Sequence, residues 1–107
     1  MQNEIIILIT ASTMEEAEVI SRTLVNEHLA ACVTMIPAVH SLFFWEGKTQ
    51  ESSEVLLIAK SRLSCLERCE TRVKELHSYS VPEIIALPII GGSKEYLAWL
   101  RQSVSDI

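Results

Sequence analysis

The chain has 107 residues, 49% of them hydrophobic and only 6% aromatic, which suits one domain whose single core is built from Ile, Leu, Val and Ala rather than from rings. Nine Lys and Arg stand against fourteen Asp and Glu, a net charge of −5, and no segment gathers cations as a phosphate-tracking surface would, so nucleic acid is not an expected partner. The run Ile5–Ile9 is too short for a membrane span or a signal core, and the opening Met1-Gln2-Asn3-Glu4 lacks a positive start, so a cytoplasmic protein without a membrane partner is expected.

Glu4–Thr10 carries five consecutive aliphatic residues, as a strand buried on both faces does. Ser12-Thr13-Met14-Glu15-Glu16 then offers two overlapping capping boxes, and Met14, Ala17, Ile20 and Leu24 recur at helical spacing, predicting a first helix that ends near His28. Ala31–Trp45 is rich in β-branched and aromatic residues. It contains Pro37, which cannot donate to a ladder, so a long strand with an edge position or a bulge is expected. Glu46-Gly47 turns the chain, Glu54–Lys60 returns as a paired strand, and the polar tip Lys48–Ser53 is expected to stand out from the body.

Ser61 or Ser64 can cap a second helix, Ser64 with Glu67 forming a capping box, with Leu66, Cys69, Val73 and Leu76 along one face. Its exit is the stretch His77-Ser78-Tyr79-Ser80-Val81-Pro82-Glu83. Glu83–Ile90 reads as the last strand, Gly91-Gly92-Ser93 breaks and recaps the chain, and Leu97, Leu100 and Val104 predict a closing helix. The order β-α-β-β-α-β plus a C-terminal helix describes an α+β, ferredoxin-like split βαβ sandwich in a single domain, 1–107, with helices on one face of a four-stranded antiparallel sheet. Three helices leave the other apolar face uncovered, which predicts self-association.

Three cysteines, an odd number, fit reduced thiols rather than a disulfide framework. Cys65 and Cys69 share a helical face and have the spacing to share a soft metal, but Cys69 falls in the apolar stripe and reads as a small hydrophobe. Cys32 follows two alanines at the start of a strand, where a lone thiolate needs imidazole company to hold a metal. His77 ends a helix, where carbonyls and the dipole favour a cation, and imidazole is the commonest metal ligand. Pro82 holds Val81 extended, which fixes how Tyr79 and Glu83 project. Nothing in the chain matches a nucleophile elbow, a His-Glu-x-x-His zinc motif or a phosphate-cradling glycine loop, so an enzyme is not expected.

Ala30-Ala31-Cys32-Val33, Trp45-Glu46-Gly47-Lys48 and the His77–Glu83 corner together resemble the CutA family of divalent-cation tolerance proteins, with similarity running across nearly the whole chain. The family's usual corner, His-Pro-Tyr-Glu-x-Pro-Glu, has Ser78 and Ser80 in place of its first proline and first carboxylate. Ile9 and Leu76 stand where some relatives carry a cysteine and a second histidine. The resemblance implies a homotrimer whose sheets meet around a threefold axis, with the long hairpin reaching to a neighbour. It implies copper or another divalent cation at clefts between subunits. On this reading the candidate metal ligands are Cys32 and His77, and Trp45, Lys60, Tyr79 and Glu83 line the cleft, Lys60 within reach of Glu83 or an anion. The alternative is a trimeric signalling module of the PII kind that binds a small ligand or a partner protein, by fold analogy. An acylphosphatase-like enzyme lacks its anion cradle at Thr10-Ala11-Ser12, and a purely structural trimer stays open.

Overall fold

The computed structural model describes residues 3–104; the opening Met1-Gln2 lies outside them. Four strands and three helices follow in the order β1 (Glu4–Ala11), α1 (Met14–Asn26), β2 (Cys32–Trp45), β3 (Lys48–Arg62), α2 (Leu66–Leu76), β4 (Ile84–Pro88) and α3 (Lys94–Ser103). The sheet order is β2-β3-β1-β4 with every neighbouring pair antiparallel. β1 and the Val55–Ala59 run of β3 hold the centre because both are apolar, while Pro37 sits in the edge strand β2, where a missing donor costs no ladder bond.

Strand alternation sorts the residues between the two faces. Ile5, Ile7, Ile9 and Ala11 of β1 and Val55, Leu57 and Ala59 of β3 are buried in one cluster with Ala17, Ile20 and Leu24 of α1 and Cys69 and Val73 of α2. Each fully buried Ile or Leu there contributes about 1.5–3 kcal/mol relative to exposure. The opposite face carries Ile36, Ile85 and Leu87, all well exposed. The closing helix α3 adds Leu100 to the buried cluster, with Val104 just beyond the helix, and also reaches the strand residues of the other face. Its Tyr96 hydroxyl lies 3.5 Å from Cys32 Sγ, and Cys32 points away from α1 because its neighbour Val33 lines the groove against Ser21 and Val25 of that helix.

Thr13 caps α1, its hydroxyl accepting from the Glu16 amide. The helix stops at Asn26, two residues before the expected end, because His28 adopts φ 61° and lets the Leu29 and Ala30 amides return to the Leu24 carbonyl. The N-cap position of α2 falls one residue later than the Ser64 capping box places it. A single 3₁₀ turn, Leu63–Cys65, precedes the helix, whose N-cap position is Cys65. β4 is shorter than the predicted Glu83–Ile90, since pairing with β1 covers only Ile84–Pro88.

β3 begins at Lys48 rather than Glu54, so the polar tip is ladder and not loop. Exposure on both faces leaves no hydrophobic alternation there, which is why the strand is invisible in the pattern. Glu46 and Gly47 make a two-residue turn with φ 52° and 79°, the left-handed pair that matches the twist of a tight hairpin. The ladder slips once, between Ile36 and Val39, around Pro37 and Ala38, the latter at φ 59°. The hairpin sets the long axis of the molecule, whose extents are 44 × 25 × 22 Å.

Candidate functional site

At the exit of α2 the chain turns extended at His77, and its side chain goes inward until no surface is exposed. His77 Nε2 lies 2.7 Å from the Thr10 carbonyl oxygen of β1, and the Tyr79 amide donates to Nδ1 at 3.0 Å. The Tyr79 ring rests against the imidazole, centroids 4.8 Å apart, and its hydroxyl donates to Glu54 Oε2 at 2.9 Å. Glu54 is a buried carboxylate, so this bond supplies a partner that burial makes necessary.

Glu16, from the first turn of α1, closes the corner. Its Oε1 accepts from the Ser78 hydroxyl and amide, the Ser12 hydroxyl donates to its Oε2, and Oε1 lies 3.4 Å from His77 Nδ1. Partial burial pushes this carboxyl upward, but the hydrogen bonds from Ser78 and Ser12, with the imidazole beside them, outweigh it and hold the group below its ordinary value. Burial first, then the Glu54 carboxylate, pushes the Tyr79 hydroxyl above its ordinary value. Glu16, Glu54, Ser12 and Ser78 were not singled out as site residues. The readable signal was Glu54, a lone carboxylate abutting the apolar run Val55–Ile58.

Cys32 and Lys60 lie elsewhere. They pair across β2 and β3, and Lys60 pairs in turn with Ile6, whereas His77 contacts Thr10. Four residues of strand separate those rows, about 14 Å, so a single chain does not bring Cys32 and His77 together. Lys60 donates to the Thr34 hydroxyl at 3.3 Å. It makes no ion pair with Glu83, which is exposed just before β4 at the Thr10 end. Trp45, half-exposed at the hairpin turn, does meet the corner: with Tyr79, Ser80 and Val81 it lines an open hollow of about 300 Å³.

The thiols of α2 are committed to packing. Cys69 donates to the Leu29 carbonyl, which also accepts from Ser61, and burial pushes its thiol up to about 11. Cys65 accepts from Arg68 at 3.0 Å. Among the described residues no three His, Cys, Asp or Glu side chains converge as a metal site. Within one chain, the described residues therefore do not gather a complete cation site.

The fold and corner define a class: ferredoxin-like α+β proteins with a long β2–β3 hairpin, an exposed apolar sheet face and a polar helix exit tied to the first strand. Residues 5–103 match the family described as CutA1 divalent ion tolerance protein, and the chain belongs to that family. It is 45% identical to the divalent-cation tolerance protein CutA of Thermus thermophilus, over 94% of this chain and 97% of that one. The chloroplastic protein CutA of Arabidopsis thaliana is 46% identical over 95% of this chain, the match taking in 56% of that longer relative. The crystal structure of CutA1 from Oryza sativa superposes with a TM-score of 0.96 at 40% identity, covering 99% of this chain and 97% of that one.

Proposed function

We propose that this chain serves divalent-cation tolerance as a non-enzymatic homotrimer that meets copper or another divalent cation at clefts between subunits. One observation carries the reading: the candidate donors of a single chain stand at opposite ends of a sheet whose outer face is apolar and exposed. Stacking copies on that face covers it and lets the Cys32 end of one subunit approach the corner of another. Cys32 supplies the soft thiolate that favours copper(I), Glu83 an exposed carboxylate, and Trp45, Lys60 and Tyr79 line the cleft. Cytoplasmic residence belongs to the same proposal and rests on three free cysteines.

Native mass spectrometry of the reduced protein titrated with copper tests it. The expected result is a trimer that takes up three copper ions and loses them in Cys32→Ser. A monomer, or a trimer that stays metal-free, overturns the reading. A metal-free trimer would instead favour a small-ligand module of the PII kind, for which the hollow beside Trp45 and Tyr79 is the supporting observation.

A further inference from the structure

We infer that His77 is a structural tie that sets the pose of Tyr79, and that it is not a cation ligand. The tautomer follows from the partners. A carbonyl oxygen only accepts, so Nε2, 2.7 Å from Thr10, carries the proton; a backbone N–H only donates, so Nδ1, 3.0 Å from the Tyr79 nitrogen, is the bare nitrogen. A ring N–H on a carbonyl is also how a ligating histidine is oriented, so the role turns on Nδ1. There the single lone pair is taken by Tyr79, and the side chain has no exposed surface through which an ion could arrive. Coordination at Nδ1 would strip a hydrogen bond from the Tyr79 amide. Coordination at Nε2 would remove the proton that holds Thr10.

The side chains around the ring fit a tie. Glu16 Oε1, 3.4 Å from Nδ1, is already held by Ser78, and its carboxylate partner Oε2 by Ser12. Tyr79, fixed by its amide on one side and by Glu54 on the other, becomes a wall of the hollow it shares with Trp45. His77 thus acts on that hollow through Tyr79, as a positioning residue.

Ring nitrogen-15 spectra of the reduced, metal-free protein test the tie directly. The expected signature is a protonated Nε2, a bare Nδ1 and a scalar coupling across the Tyr79 N–H to Nδ1; an Nδ1–H tautomer overturns the inference. This arm is independent of the cation reading above, which fails separately if no copper is taken up. Where copper(I) does bind, the His77 ring shifts stay in place and His77→Gln costs no more than the roughly 10–100-fold of a supporting residue. A displaced Nδ1 resonance overturns the inference, as does a loss well beyond about 100-fold in a Gln variant that still assembles. If the Gln variant does not fold, the wild-type ring spectrum with and without copper(I) decides.

Discussion

Tyr79 shows how much one hydroxyl can hold. Removing it in Tyr79→Phe leaves a buried Glu54 oxygen without its donor, and such an orphaned group costs about 1–3 kcal/mol. The same phenol shapes the response to pH. Its proton is held more tightly in the folded chain than at its ordinary 10.0, so as pH rises through 10 the unfolded chain loses the proton first and stability falls. Glu16 works at the other end of the scale. Held below its ordinary 4.5, it contributes stability that is present above that value and is lost as pH falls through the folded value. Denaturant unfolding followed across pH should show both flanks, with the alkaline one flattened in Tyr79→Phe. An unchanged alkaline flank in that variant would remove Tyr79 from the account.

The hairpin is the element on which backbone conformation matters most. Gly47 sits at φ +79° with nothing within 4 Å of where a Cβ would be, so Gly47→Ala is opposed by the left-handed backbone alone and should cost about 1–2 kcal/mol. Gly91 supplies the contrast, having the same open surroundings and no left-handed φ. Gly91→Ala should therefore be tolerated or slightly stabilising, by about 0.4–1 kcal/mol through the unfolded chain. Thermal unfolding of the two variants side by side checks the difference, and equal losses would refute it. Pro37 and Ala38 belong to the same argument: the bulge they form bends β2, and the extra twist of a bulged strand re-aims the arm beyond it.

At the scale of the whole molecule, the face bearing Ile36, Ile85 and Leu87 is what a solitary chain would not maintain. Ile85 pairs with Leu8 and Leu87 with Ile6, so the exposed side chains continue into a half-buried apolar surface across the sheet. A contiguous patch of this kind on a soluble protein marks an interaction site. Ile85→Lys places a charge there without touching the buried cluster. On the homotrimer proposed above, the expected outcome is a shift from trimer to monomer in sedimentation velocity with the circular dichroism spectrum retained, and a variant that remains trimeric would place the interface elsewhere.

The pattern of apolar residues determined the number, type and order of the elements, because burial on a strand or helix imposes a period that the chain must carry in its own residues. The family was legible separately, through the resemblance carried by Ala30–Val33, Trp45–Lys48 and His77–Glu83, and Pro37, whose missing donor is a local property, pointed to an edge position or a bulge, both of which the structure shows. The ladder from Lys48 to Ser53 escaped the apolar pattern, since a strand exposed on both faces has no period to read. So did the partners of the corner: Thr10, Glu16 and Glu54 meet His77 and Tyr79 only because α2 ends beside β1, β3 and the first turn of α1. Histidine at a helix exit reads as a ligand when its residue type is all that is known. Which of its two nitrogens keeps a lone pair, and whether an ion can reach it, depends on a carbonyl 67 residues away in the chain, and tertiary structure alone decides that.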